Sequence, residues 1–466
     1  MQALVTPSEM GKIDAAAPEP VDVLIGRAGA AVASVALRRL GGAYGRRVVV
    51  VAGKGNNGAD GREAARRLRL RGVRVDIIDA VNAPAVLPGC DLVIDAAYGT
   101  GFRGTYEPPA LPPNEPDVLA VDIPSGVPGL TGEASGRPWQ AAETVTFAAW
   151  KPGLLLADGP ALSGDVTVAD IGLDVSSARA HVIGASDIAA WLPRRSANSH
   201  KWKAAVWLVA GSPSMTGAAH LAARAAFRAG AGYVRLSSPG VDDDPGRPTE
   251  SVAWTLPGEG WADQVIEGLD RFGALVVGPG LGRDRGTIEA VCEVVARSTI
   301  PTLVDGDGLS ALADGPGVSN VLADRSADAP PAVLTPHDGE YERLTGHPPQ
   351  ADRLEAAREL AASSGAVVLL KGSTTIVSAS DGRALVSTTG DSRLATAGTG
   401  DVLSGVIGAL LTQAMSPLEA AATGAWLHGR AAHHGPASGL VASDLPDLLP
   451  LARRDAEAGH ATGAGA

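Results

Sequence analysis

RRVVVVAGKGNNGADGREAARRLRLRG, residues 46–72, sets an apolar run, a glycine-rich loop and a charged helical stretch end to end. Val48 to Val51 form an unbroken β-branched run, the pattern of a parallel strand covered on both faces. Gly53 to Gly61 read as a loop and Arg62 to Leu70 as a helix. Further runs of the same kind follow at 73–78, 92–95, 118–122 and 144–147, so this half of the chain alternates strand and helix. Gly53, Gly55 and Gly58 spell G-x-G-x-x-G, with Asp79 at the end of the next strand. That spacing suits a dinucleotide fold, in which backbone N–H groups hold a pyrophosphate and the acid holds a ribose hydroxyl. A nicotinamide-dependent dehydrogenase is therefore one reading.

The loop is more polar than a simple pyrophosphate turn. Asn56, Asn57 and Asp60 supply carbonyls and a carboxylate, which suit hard cations or sugar hydroxyls. Two more clusters sit at strand ends, Asp95 with Gly99, Gly101 and Gly104 in VIDAAYGTGFRGT, and Asp122 with Ser125 in AVDIPSGV. Singly, each is also what a turn or helix cap uses. Together they fall on the carboxyl edge of one parallel sheet, where doubly wound folds bind ligands.

A second strand–loop–helix unit, residues 204–236, opens another α/β alternation. Strands are expected at 274–277, 302–305, 332–334 and 367–370, with a hairpin over 374–377 and 384–387. Helices are expected at 287–297, 352–363, 399–412 and 417–433. The chemical signal here is ATAGTGDVLSGVIGALL, residues 395–411. Gly398, Thr399 and Gly400 turn into a helix whose amino end concentrates positive dipole, and Asp401 sits there as a candidate base. A plain capped helix with Asp in its first turn is the other reading. Lys371, Gly372 and Thr375 lie at a strand end where a cation and backbone N–H groups suit nucleotide phosphates. Gly278, Gly280 and Gly282 permit close backbone approach, and LTPHDGE puts His337, Asp338 and Glu340 in a loop after a strand.

Composition bounds these readings. The 466 residues carry 39 Lys+Arg against 51 Asp+Glu, a net charge of −12, so no basic block exists to bind nucleic acid. At about 150 residues per domain the length allows roughly three domains, but the motifs support two, with the break at about 180. Cys90 and Cys292 read as reduced buried thiols. With no secretory pattern at the amino terminus and a longest apolar run of Val402 to Leu411, the chain is expected to be cytoplasmic and free of membrane spans. Residues 456–466 read as a flexible tail.

GKGNNGADG, VIDAAYGTG, VDIPSG and TFAAWKPGL resemble the epimerase domain of the NAD(P)H-hydrate repair enzymes over residues 1 to about 175. GSPSMTGAAHLAARAAFRAGAGYV, GPGLG, TPHDGE, KGSTT and AGTGD resemble the ribokinase-like ADP/ATP-dependent NAD(P)H-hydrate dehydratase domain over about 250 residues. The resemblance implies a Rossmann-like domain at 1–180 and a ribokinase-like domain at 181–455. It implies that Asn57, Asp95 and Ser125 hold a potassium ion. Asn56, Asn57, Gly58, Ala59 and Asp60, then Gly99, Thr100, Gly101, Phe102, Arg103, Gly104 and Thr105, and Asp122 as a catalytic group, would contact the hydrated nicotinamide nucleotide. In the second domain it assigns Ala218, Gly280, His337 and the catalytic Asp401 to substrate. Lys371, Gly372, Ser373, Thr374, Thr375 and Gly400 fall to the adenine nucleotide, which is ADP or ATP with magnesium. The expected ligands are hydrated NADH and NADPH, and a homo-oligomer is expected. Ala59 and Gly26 stand where the family usually has Gly and Glu, and HKWK, residues 200–203, lacks a usual glycine. Lys151 is a candidate for charge handling or a surface residue. A ribokinase-like small-molecule kinase fused to a dinucleotide-binding domain, or a non-catalytic nucleotide sensor, remains the rival reading.

Overall fold

The computed structural model describes residues 1–193 and 197–463. Two compact units divide it, Gln2–His181 and Val182–Ala466, the latter joined by Met1. The basic pair at 194–195, in the stretch where the sequence places the domain break, lies outside the described residues.

In the first unit, α1 (Pro7–Ala16) and α2 (Val21–Leu40) precede β1 (Arg47–Ala52), α3 (Asn56–Leu70), β2 (Arg74–Asp79), β3 (Leu92–Ala96), β4 (Asp117–Val121), β5 (Glu143–Phe147) and β6 (Asp165–Ala169). The six strands are all parallel in the order β2-β1-β3-β4-β5-β6. Val48 to Val51 are fully buried because alternate residues enter different cores. Val48 and Val50 pack with the α2 and α3 faces, Val49 and Val51 with Val93, Tyr106 and Trp139. Helix α2 buries Ala28, Val32, Ala36 and Leu40 at helical spacing. Thr6 and Glu9 close a capping box at the start of α1.

In the second unit the strands are β7 (Ala205–Val209), β8 (Tyr233–Ser237), β9 (Val252–Ala253), β10 (Ala274–Val277), β11 (Thr302–Val304), β12 (Val333–Leu334), β13 (Val367–Leu370), β14 (Thr375–Ser378) and β15 (Ala384–Ser387). They lie in the order β15-β14-β13-β12-β11-β10-β7-β8-β9. The β13–β14 and β14–β15 pairs are antiparallel and the remainder parallel. The helices that matter for the site are α4 (Thr216–Arg228), α5 (Arg285–Arg297), α6 (Asp307–Asp314), α7 (Asp338–Thr345), α8 (Arg353–Ser364), α9 (Thr399–Leu411), α10 (Pro417–His433) and α11 (Leu445–Gly463). Strand β7 has β8 on one side and β10 on the other, which makes its carboxyl end a topological switch point.

From Val402 to Leu411 helix α9 is buried at every position, with Ser404 the one polar side chain in that stretch. Its glycines set how closely it packs, since a Cβ on Gly405 would lie 2.0 Å from the Ala222 carbonyl oxygen in α4.

Three expectations change. Helix α3 starts at Asn56, inside the stretch 53–61 read as a loop, because Gly55 serves as its N-cap and the Ala59 N–H already bonds the Gly55 carbonyl. Residues 338–345 form helix α7 rather than a loop, because the His337 imidazole accepts from the Gly339 and Glu340 N–H groups while Glu340 accepts from the His337 N–H. The tail expected from residue 456 is instead helical through Gly463. Ala452 and Ala456 are fully buried, and Gly459 packs against Ala185 with no room for a Cβ. Residues 464–466 lie outside the described set.

Candidate active sites

In the first unit the strand ends enclose a cavity of about 540 Å³. Among its lining residues are Asn56, Asn57 and Asp60 from α3, Gly99, Thr100, Gly101 and Phe102 after β3, and Asp122 after β4. Gly58 and Ala59 are not in that lining. Gly58 is needed for the turn itself, since a Cβ there would sit 1.9 Å from the Gly53 carbonyl oxygen. Ala59 is helical, its N–H bonded to the Gly55 carbonyl at 3.1 Å, so its methyl group demands no left-handed backbone. Arg103, Gly104 and Thr105 are exposed and also outside the lining, with Thr105 bonded to Ser135.

Asp95 and Ser125 meet beneath the cavity. The Ser125 hydroxyl and N–H donate to the two Asp95 oxygens at 2.6 and 2.9 Å, and the Tyr98 N–H donates to Ser125 Oγ at 2.8 Å. Burial pushes the Asp95 carboxyl up despite these bonds. Asn57 has both amide atoms buried without a partner, and its Cγ lies 3.4 Å from where a Gly99 Cβ would be. An orphan carbonyl oxygen on Asn57, together with the carboxylate of Asp95 and the hydroxyl of Ser125, is the kind of oxygen donor set that large hard cations take.

Asp122 holds a left-handed backbone, φ 69°, unusual for a residue with a Cβ and typical of functional sites. Its Oδ2 accepts from the Thr100 N–H at 3.2 Å, and its Oδ1 from Thr146 at 3.3 Å with the Lys151 ammonium at 3.1 Å. Lys151 is 1% exposed and donates to Thr146 Oγ1 and the Phe147 and Ala149 carbonyls. Its surface reading is thereby overturned, and the charge-handling one gains a geometry. Asp14 of α1 also lines the cavity, a residue no sequence pattern singled out. Asp79 instead caps a short 3₁₀ turn through Val81 N–H.

In the second unit, Lys371 follows β13 and reaches Asp305 at the end of β11, Nζ to Oδ1 2.6 Å, with Glu340 at 3.8 Å. Asp305 is 2% exposed and also accepts from Thr335 at 2.7 Å and Ser404 at 2.6 Å. Burial alone would raise its pKa, but Lys371 and the two hydroxyls hold it below the ordinary value. Gly400 lies directly over this pair, a Cβ there falling 3.5 Å from Lys371 Nζ. Helix α9 starts at Gly398, φ 91°, and no side chain caps it. Asp401 in its first turn is pushed up to about 7, by burial first and then by the Asp305 charge, with Lys371 opposing.

The GPG turn adjoins the same place. A Cβ on Gly278 would strike the Asp305 carbonyl oxygen at 1.9 Å, and one on Gly280 the Ala218 Cβ at 2.9 Å. The structure thus connects Ala218, Gly280, Lys371, Gly400 and Asp401 around Asp305. His337, with 59% of its side chain exposed, joins through Glu340 at 3.6 Å. After Lys371 the loop is braced by Arg353, which donates to the Lys371 carbonyl and pairs with Asp338. Thr375 closes the turn onto the Gly372 carbonyl, while Thr374 is buried and the Ser373 carbonyl abuts Gly390. Sequence reasoning gave Asp305 no role. The signal was an Asp at the carboxyl end of a buried strand, in TLVDGDG.

A family model described as NAD(P)H-hydrate dehydratase matches residues 206–451, and one described as YjeF-related protein N-terminus matches 21–88 and 78–153. The chain is 38% identical to the bifunctional NAD(P)H-hydrate repair enzyme Nnr of Moorella thermoacetica over 97% of each chain. It is 39% identical to the enzyme of that name from Mycobacterium leprae over 89% of each. Among solved structures, the ADP/ATP-dependent NAD(P)H-hydrate dehydratase of Bacillus subtilis co-crystallised with ATP/Mg2+ is 32% identical. Its TM-score is 0.51, over 59% of this chain and 97% of that one.

Proposed function

The chain belongs to the family of bifunctional NAD(P)H-hydrate repair enzymes, and from that premise we propose how its two units divide the work. The enzyme interconverts the R and S forms of hydrated NADH and NADPH and dehydrates the S form. Residues 1–180 carry the epimerase and 181–455 the dehydratase. The observation that carries the assignment is the half-buried Asp401 at an uncapped helix start, set beside the Lys371–Asp305 pair.

For dehydration, hydroxide is a poor leaving group and phosphate a good one. Asp401 takes the proton of the ring hydroxyl, whose oxygen attacks the terminal phosphoryl of ADP, releasing AMP. Phosphate then departs with the carbon–oxygen bonding pair while a proton leaves the adjacent carbon, restoring the reduced nicotinamide. Lys371 and the Gly398–Gly400 turn hold the transferring group, Gly372 to Thr375 the rest of the nucleotide, and Ala218, Gly280 and His337 the substrate. Magnesium bound with the nucleotide would supply positive charge against its phosphates. In the first unit Asp122 is the catalytic carboxylate. Asn57, Asp95 and Ser125 would hold potassium, supplying fixed positive charge beneath the substrate, and the orphaned Asn57 carbonyl supports that reading. We propose further that the enzyme is a cytoplasmic homo-oligomer. Among the described residues no helix is long and apolar enough to cross a membrane, and both cysteines are free.

The test is to incubate the protein with mixed-epimer hydrated NADH, ADP and magnesium and follow the reduced nicotinamide by its absorbance. Full conversion of both epimers is expected. Asp401→Asn abolishes dehydration and leaves epimer exchange. Asn57→Ala removes potassium dependence and slows exchange. Phosphorylation of a small alcohol with no reduced cofactor would favour a kinase.

A further inference from the structure

Two carboxylates of the first-unit cavity have opposite surroundings. Asp122 receives the Thr100 N–H, the Thr146 hydroxyl and the Lys151 ammonium. Asp60 is 8% exposed, lines the same cavity and has no hydrogen bond or ion pair among the described residues. A carboxylate on a mostly buried side chain with no protein donor is disfavoured in its charged form, and the three donors on Asp122 have no counterpart at Asp60. The charged and titratable groups facing Asp60 are Asp14 from α1, Asp122 after β4, Lys54 of the glycine loop and Tyr98 after β3, with Lys151 behind Asp122. Consistent with this setting, Asp60 is pushed up to about 8, by burial first and then by the charges of Asp122 and Asp14. One cavity therefore holds a proton donor and a proton acceptor at neutral pH, the separation of paired carboxyl groups that acid–base sites use.

Resting on the epimerase reading above, we propose that Asp60 and Asp122 are the acid and the base of a ring-opening epimerisation. The reacting carbon of the hydrated nicotinamide carries a hydroxyl and a ring nitrogen. Asp122 takes the hydroxyl proton, and the O–H pair becomes the second bond of an aldehyde. The carbon–nitrogen bond breaks with its electrons passing to nitrogen, which takes the proton of Asp60. Rotation about the adjacent carbon–carbon bond presents the other face of the aldehyde. Closure then reverses both transfers, returning the proton to Asp60 and leaving Asp122 ionised, so nothing is consumed. The other walls favour this route over one that expels and re-adds free water. Leu24, Ile25, Phe147, Ile171 and Leu173 all line the cavity.

The experiment uses the full chain with ADP and magnesium, in which the S half of the substrate reports the second site and the R half must first be epimerised. For Asp60→Asn, R-half turnover is expected to fall by about 100-fold or more toward the spontaneous rate, with S-half turnover unchanged. The infrared difference between wild type and Asp60→Asn at neutral pH is expected to show a protonated-carboxyl stretch carried by wild type and lost in the variant. Exchange is expected to decline as pH rises through about 8. Asp14→Asn, which removes a facing negative charge, should move that decline to lower pH. An ¹⁸O label on the ring hydroxyl should survive exchange. Unimpaired R-half turnover in Asp60→Asn, or exchange that is flat or rising from neutral to alkaline pH, overturns the pair. Label lost at each epimerisation overturns ring opening. If Asp60→Asn loses both halves, the wild-type pH profile and infrared band decide. A wild type with no exchange above the spontaneous rate defeats the epimerase reading itself.

Discussion

Replacing Asp305 by Asn isolates what the second unit stores in its central ion pair. The carboxylate is 2% exposed and takes three donors, Lys371 Nζ and the Thr335 and Ser404 hydroxyls. Asn keeps the shape but turns an NH₂ toward a set of donors and leaves the lysine charge without its nearest partner. Breaking a buried pair from one side costs about 3–5 kcal/mol. The lower end applies, because the Lys371 side chain retains 20% exposure and Glu340 stands 3.8 Å away. About 3 kcal/mol in a unit of this size lowers its midpoint by roughly 6–12 °C. Differential scanning calorimetry of the ligand-free chain, following the transition of the second unit, measures it. Adding Lys371→Met to Asp305→Asn removes the stranded charge, and the double variant should melt above the single one. A single variant within about 2 °C of wild type, or a double variant that melts as the sum of two independent losses, would refute the claim that the pair is coupled and buried.

Three further outcomes follow from the same coordinates. Asp401 must be ionised to accept a proton, and its pKa is raised to about 7. The kcat/KM for dehydration should therefore climb as pH rises through about 7 in steady-state assays, and a profile flat below that value would exclude Asp401 as the base. Gly405→Ala places a methyl carbon 2.0 Å from the Ala222 backbone oxygen, so denaturant titration should show a loss of about 3 kcal/mol or more. Gly26 lies within α2 with nothing within 4 Å of an added Cβ. Gly26→Ala should stabilise the first unit by about 0.5–1 kcal/mol in the same titration.

What the sequence made legible follows from which interactions are local. A parallel strand buried on both faces must be apolar at every position, so Val48–Val51 and Ala274–Val277 announce themselves without knowledge of their neighbours. Strand-end glycines and acids are legible for a related reason, since the loop that bears them is contiguous in the chain. Their partners are not. Asp305 and Lys371 are 66 residues apart, and they meet because β11, β12 and β13 stand side by side with their carboxyl ends aligned. Lys151, before a Pro-Gly pair, looks like a surface residue until the turn after β5 folds its ammonium back onto Phe147, Ala149 and Asp122. Asp14 reaches its cavity only through the docking of α1. In each case the legible residue would do chemistry on its own loop, and the illegible one sets its charge from another element. Asp401 and Asp60 therefore have a protonation state that no local motif encodes, because it is set by burial first and then by Asp305 and Lys371 in one case and by Asp122 and Asp14 in the other.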